Sequence, residues 1–338
     1  MTPGIVRARA ETSDMESNQS AYNQTTASNG LIYMACPFRD PESSRPQVFA
    51  SFLVIYVTAV VGNMLLCLVI YREESLHKPM FILLANLAAG DLIGSTTTLP
   101  RIMNDLMFSN YISIPACFTQ MFFLHFYIGF ECFVLTSMAV DRYLAICHPL
   151  RYHSLMSNAR AARLSLFMVL VIALLVFGLI GLTVRLTFCK PRVVFMPHCD
   201  HMSFVKMACD DTSANNVYGI FITVLIMGFG LALIVMSYAC ILYECCKSSV
   251  RNSQQKAIYT CVTHLFVLVI FYSSTMLQIV QHRLAQYNVV SDEVRAYLIV
   301  LFYIVPPPAN PIIYGLRTAE IRHGIVKLFR RKVEPAMS

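Results

Sequence analysis

MAVDRYLAICHPLRY, residues Met138–Tyr152, closes a long apolar run that begins near Cys117. Asp141 and Arg142 stand side by side where that run gives way to polar residues. A charge at the centre of a bilayer costs about 3 kcal/mol or more, so ionisable residues at the end of a spanning helix pair or carry a function. An acid beside an arginine there can hold it until a partner outside the membrane draws it away. That is the chemistry of a switch, provided that the rest of the chain spans a membrane.

Composition supports that condition. The 338 residues are 57% hydrophobic and 13% charged, with mean hydropathy +0.58, whereas soluble domains carry about a quarter of their residues as charges. Seven runs are long enough to span, near Phe49–Tyr71, Met80–Met103, Cys117–Cys147, Leu164–Leu186, Val217–Tyr243, Ala257–Gln281 and Ala296–Leu316. Continuous apolar text of this length predicts helices, since barrel strands are short and alternate. The expectation is an all-α membrane protein: a tail over 1–46, a seven-helix bundle over 47–316, and a cytoplasmic amphipathic helix and tail over 317–338. Lys and Arg outnumber acids on the side that carries Arg142 and balance them on the other, which places the N-terminus outside. Two sequons, at Asn18 and Asn23, agree with glycosylation of an outer tail.

Polar residues inside the runs must justify their cost. Asn63, Asp91, Glu131 and Asn310 fall in the first, second, third and seventh. Isolated carboxylates in lipid are neutralised by a proton or by a partner. If the bundle brings Asp91, Glu131 and Asn310 together, they can hold a sodium ion or share a proton; otherwise one acid stays neutral and bonds its neighbours. Asn310-Pro311 is expected to break its helix and leave carbonyls in need of polar neighbours. Of the twelve cysteines, Cys117, Cys189, Cys199 and Cys209 lie in or beside outer segments, where three pairings are open. Cys36 is left over; Cys245 and Cys246 are either palmitoylation sites or plain thiols beside the membrane.

The Met138–Tyr152 string resembles the signature after the third helix of odorant receptors, a branch of the rhodopsin-like G-protein-coupled receptors. His77-Lys78-Pro79-Met80, Ser237-Tyr238, Lys256–Leu265 (KAIYTCVTHL), Phe271-Tyr272-Ser273 and Asn310–Tyr314 (NPIIY) resemble the same family. PPPAN before Pro311 departs from the usual text and suggests a divergent, fish-like branch, while Ala-Ala-Gly before Asp91 also departs from it and leaves open a non-odorant receptor of the same class. The resemblance implies disulfides Cys117–Cys199 and Cys189–Cys209, which would fold the second outer loop over the bundle as a lid. It implies an Asp141-Arg142-Tyr143 switch in which Arg142 leaves Asp141 and meets Tyr238 and Tyr314. It also implies a stimulatory, olfactory-type G protein that raises cAMP, in the cell membrane of olfactory cilia.

A ligand cavity is expected among the outer halves of the third, fifth, sixth and seventh helices. Leu124, His125, Ile128 and Gly129 on the third would line it, with Ile222 and Ile226 on the fifth. The sixth would add Thr275, Met276 and Ile279, with Tyr272 at the base as the resemblance implies. Such an apolar wall suits a small organic odorant. Arg283, about three turns above Tyr272, can grip a carboxylate, with His201 joining from the lid. Gln281-His282-Arg283 looks like the acid-sensing type of odorant receptor, which implies a carboxylic acid. The alternative is an arginine that snorkels to the surface.

Beyond the seventh run, Ile321, Ile325, Leu328 and Phe329 alternate with Arg322, Lys327, Arg330 and Arg331, a pattern suited to an anionic lipid surface and not to nucleic acid. No HExxH, GxSxG or phosphate-binding glycine loop is present, so an enzyme is not expected. A secondary transporter would show internal repeats, and none is visible. A non-odorant receptor of the same class remains the nearer alternative, although an amine receptor needs an acid where Leu124 stands.

Overall fold

The computed structural model describes residues 30–34, 42–189, 192–194, 196–247, 251–284 and 292–333. Seven helices among them are long and apolar enough to cross a membrane. We label them α1 (Arg45–Arg72), α2 (Pro79–Met107), α3 (Ile114–Cys147), α4 (Asn158–Val184), α5 (Ser213–Lys247), α6 (Arg251–Leu284) and α7, which is split into Asp292–Ile304 and Pro306–Arg317. A further helix, α8 (Ala319–Val333), follows.

Local chemistry sets the starts. Pro79 opens α2, where its missing N–H costs nothing. Ser113 accepts from the Ala116 amide at the head of α3, and Ser157 from the Arg160 amide at the head of α4. The bundle is wound around α3, whose most apolar window is 72% buried against 22% for α4. On α1, Val54, Val57, Val61 and Met64 face outward while Ala59, Asn63 and Leu66 face the core. An outward face of valine and methionine is what hydrocarbon solvates.

Three features differ from expectation. The break in α7 falls at Val305, before Pro306-Pro307-Pro308, and not at Asn310-Pro311. Pro311 sits inside the helix because the carbonyl its ring deprives, that of Pro307, accepts a bond from Asn63 Nδ2 at 2.8 Å. Next, α5 widens to a π turn over Val224–Gly228, a local distortion that apolar periodicity does not announce. Finally, Lys327 on α8 turns toward the bundle and pairs with Glu73 at 2.5 Å, while Ile325 and Leu328 pack on the core. The amphipathic pattern of α8 thus serves docking on α1 as well as its exposed basic face.

The end of the bundle that carries the N-terminal tail is closed by chain from three places. Leu31–Met34 of the N-terminal tail (β1) pairs antiparallel with Tyr111–Ser113 (β2) and parallel with Val193–Val194 (β3), giving the order β2-β1-β3. Ile32 and Met34 are buried beneath it. A short lid helix, His201–Met207, is capped by Asp200, whose carboxylate accepts from the Ser203 amide at 3.1 Å.

Candidate ligand cavity and switch

Cys117 at the top of α3 is joined to Cys199, with Cα atoms 5.5 Å apart, and Cys189 to Cys209, at 5.9 Å. Both expected pairings are therefore present. Gln120 reinforces the first: its Oε1 accepts from the Cys199 amide at 3.0 Å and its Nε2 donates to Thr97 O at 3.0 Å. The lid is in this way pinned to α3 and, through Gln120, to α2.

Beneath it lies a cavity of about 240 Å³. Leu124, His125, Ile128 and Gly129 of α3, Ile222 and Ile226 of α5, Thr275 and Ile279 of α6, and His201 of the lid all line it, as their positions suggested. Tyr272 does not. Its hydroxyl lies 3.2 Å from Cys132 Sγ, deeper than the cavity floor. Met276 is 37% exposed on the outer face of α6, because Thr275 takes the inward register. Arg283 lies in the last turn of α6, and its side chain falls outside the described residues, as do Cys36, Asn18 and Asn23. Val176 and Leu179 add α4 to the wall, a fourth-helix contribution that was not expected.

The polar groups the sequence reading missed gather at the lid. Gln278 Nε2 donates to Tyr303 Oη at 3.2 Å, and Tyr303 Oη lies 3.4 Å from His198 Nε2. All three line the cavity, so one chain of contacts links α6, α7 and lid across its roof. Only the helical register of Gln278, one turn after Ser274 and one before His282, could have signalled this. His125 donates Nδ1–H to Met121 O at 2.9 Å, which leaves its Nε2 as an acceptor when neutral. His201 Nε2 is buried with no hydrogen-bond partner among the described residues. Burial, with His125 nearby and despite Asp200, pushes its pKa down to about 4.

Glycine shapes the floor. A Cβ at Gly230 would meet Thr136 Oγ1, Cys132 Sγ and Tyr272 Oη at 3.0–3.1 Å, so α5 can approach α3 this closely only without one.

Midway down, the bundle brings together the carboxylates that the sequence left apart. Asn310 Nδ2 donates to Asp91 Oδ2 at 2.9 Å and to Glu131 Oε1 at 3.4 Å, and all three residues are buried. Asp91 Oδ1 and Asn310 Oδ1 are buried without a hydrogen-bond partner among the described residues.

At the other end, Asp141 is fully buried and accepts from Arg142 at 2.7 Å and from Tyr152 Oη at 2.8 Å. Tyr143 points away, bonded to His148 at 2.9 Å. Tyr238 Oη donates to Cys261 O at 3.2 Å and lies 3.0 Å from His264 Nδ1. Tyr314 is buried, and its hydroxyl lacks a partner among the described residues. The structure thus holds Arg142 on Asp141, with Tyr238 engaged elsewhere.

A family model described as Olfactory receptor matches residues 52–332. The chain belongs to the olfactory receptor family. Olfactory receptor 52K1 from Homo sapiens is 33% identical over 308 residues, covering 91% of this chain and 98% of that protein. Olfactory receptor 52K2, also human, is 36% identical over 83% of this chain and 89% of its own length. Human Olfactory receptor 51E2 is 38% identical over 82% and 87%. This olfactory receptor is therefore a multi-pass membrane protein of the G-protein-coupled class and not an enzyme.

Proposed function

We propose that the receptor binds a small carboxylic acid in the lidded cavity and activates a stimulatory G protein of the olfactory type, raising cAMP. The N-terminus would face outward, in the membrane of olfactory cilia. The observation that carries this reading is the asymmetry of the cavity: His125, His198, His201, Gln278 and Tyr303 converge near the lid, while Leu124, Ile128 and Ile226 line the rest with carbon. A ligand with one polar end and one apolar end fits both surfaces.

His201, with its pKa near 4, is neutral at physiological pH and offers a hydrogen bond but no charge. The charge for a carboxylate must come from Lys206, which lines the cavity, and from Arg283 at the end of α6. Asp200, which also lines it, caps Ser203. Ligand binding would favour the packing in which α6 moves, Arg142 leaves Asp141, and a G-protein helix enters between them.

The buried oxygens of Asp91, Glu131 and Asn310 fit a hard monovalent cation such as sodium, which would balance the charge of one of the two acids while the other keeps its proton. Those residues would hold it, and the bundle would be stiffer with it than without. The basic face of α8 would rest on anionic lipid.

The decisive assay is cAMP in cells expressing the receptor with its G protein, challenged with matched acids, alcohols and esters. Responses to acids that vanish in surface-expressed Arg283→Ala support the proposal. Equal responses to neutral analogues, unchanged in that variant, would retire the acid.

A further inference from the structure

A second cavity, of about 390 Å³, lies between α3, α4 and α5 and has nothing to do with the lid. It runs from Met156 and Leu164, near the Arg142 end, to Leu175 and Ile226 at the middle of the bundle. Leu164 to Leu175 is eleven residues, so the cavity extends about 17 Å along α4. That matches one leaflet, whose hydrocarbon is about 15 Å deep. Its lining is carbon almost throughout. Leu164, Leu225 and Phe229 line it and are also exposed, so it opens on the face that meets hydrocarbon.

Two arginines stand beside the mouth. Arg163 precedes Leu164, and Arg160 stands one turn before it; both are exposed, and Arg160 donates to Ser154 O, beside Met156. From Tyr143 to Val184 the chain carries Arg151, Arg160 and Arg163 and no acid at all. A cationic rim above an apolar slot of leaflet depth has the shape and charge of one molecule.

We propose that this cavity binds an anionic phospholipid, with its headgroup on Arg160 and Arg163 and one acyl chain lying in the slot. The chain's end reaches Gly129 and Ile226, which line the ligand cavity too. Gly129 has no side chain there, and a Cβ on it would meet Ile172 at 3.1 Å and Ile226 at 3.4 Å. A lipid chain in the slot therefore presses on the wall of the odorant site. The proposal needs only the seven spans and stands apart from the choice of odorant.

The test uses purified full-length receptor in nanodiscs, with phosphatidylserine or phosphatidylcholine carrying a diazirine midway along one chain. After irradiation, adducts are mapped by peptide. Phosphatidylserine is expected to label the α4 and α5 segments that line the slot in preference to other lipid-facing segments. Val171→Trp, which fills the slot, should remove most of that labelling, because the indole occupies the space in which the acyl chain would pack. Leu174→Trp, on the exposed side of the same helix, should leave it intact and so controls for folding. Arg160→Gln with Arg163→Gln should abolish the preference for phosphatidylserine. Adducts spread evenly over all helices, or indifferent to Val171→Trp, would overturn the proposal, as would equal slot labelling by phosphatidylcholine.

Discussion

At the lid end, a disulfide from Cys117 to Cys199, a three-stranded sheet and the Gln278–Tyr303–His198 contacts hold α3, α6, α7 and the lid in register. At the other end, the equivalent helices meet through a few polar contacts, and Arg142 Nε, His264 Nε2 and Tyr314 Oη are buried with no hydrogen-bond partner among the described residues. Such orphaned groups cost about 1–3 kcal/mol each. A second packing that satisfies them is thereby brought close in free energy. Orphaned groups occur at the lid end too, His201 Nε2 among them, but there a disulfide and a sheet fasten the helices, whereas among the described residues the far end is held by non-covalent side-chain contacts.

The strongest way to break this contrast is to unfasten the lid. Cys117→Ala, or Cys199→Ala, should lower stability by about 2–5 kcal/mol and remove most receptor from the cell surface. A mild substitution at the far end, such as Tyr143→Phe, should not. Surface staining together with thermal unfolding in detergent checks both. Equal loss in the two variants would mean that the ends are equally fastened.

That lid was only half legible in the sequence. The positions of Cys117, Cys189, Cys199 and Cys209 marked an oxidised outer loop, and the family resemblance supplied their pairing. Nothing in Leu31–Met34 betrayed that the tail supplies the central strand, because a four-residue strand pairs through its backbone and leaves little side-chain pattern. The seven spans, by contrast, could be read from apolar length alone, since a bilayer demands it. Cavity residues fell into two kinds. Apolar positions on α3 and α5 followed from register, whereas Tyr303 meets Gln278 from 25 residues away and His198 from 105. Contacts of that range are decided by packing and leave no local signal. Tyr272 was misplaced for the same reason: Gly230 draws α5 inward, and the cavity floor rises above it.

Acid sharpens the comparison by acting at the lid. His201 is held neutral to about pH 4, while an unfolded histidine takes a proton at about 6.5. Between those values the unfolded state binds more protons, so stability rises with pH in that window. It should be full above pH 6.5, fall by on the order of 3 kcal/mol as pH drops toward 4, and change no further from this group below that. His201→Gln should flatten the slope, and melting temperature measured across pH 4–7 shows whether it does. An unaltered slope in the variant would assign acid sensitivity to another group.

The transmitting end should respond oppositely, gaining activity when loosened. Asp141→Asn removes the charge that holds Arg142 at 2.7 Å while keeping the shape and a Tyr152 contact. Loss of about 1.4 kcal/mol from the resting state would raise ligand-free signalling about tenfold. Basal cAMP per receptor at the surface is the readout. A silent, well-expressed Asp141→Asn receptor would show that the Asp141–Arg142 pair does not set the resting population.

The smallest effect tests whether the two ends communicate. Tyr303 Oη accepts from Gln278 on α6 and faces His198 of the lid, so Tyr303→Phe cuts this chain while leaving the ring and its packing on the His198 ring. One neutral hydrogen bond contributes about 1 kcal/mol, so agonist potency should fall about fivefold while surface level stays put. If ligand works by drawing α6 and the lid together through this tyrosine, maximal response should fall along with potency, because the bond lost is one that differs between the two packings. If potency alone falls, Tyr303 holds the ligand equally in both and the coupling runs elsewhere, through the apolar wall of Ile226 and Gly129. Comparing full dose–response curves for the two receptors separates these cases, since a bond of equal strength in both states shifts affinity without shifting the equilibrium between them.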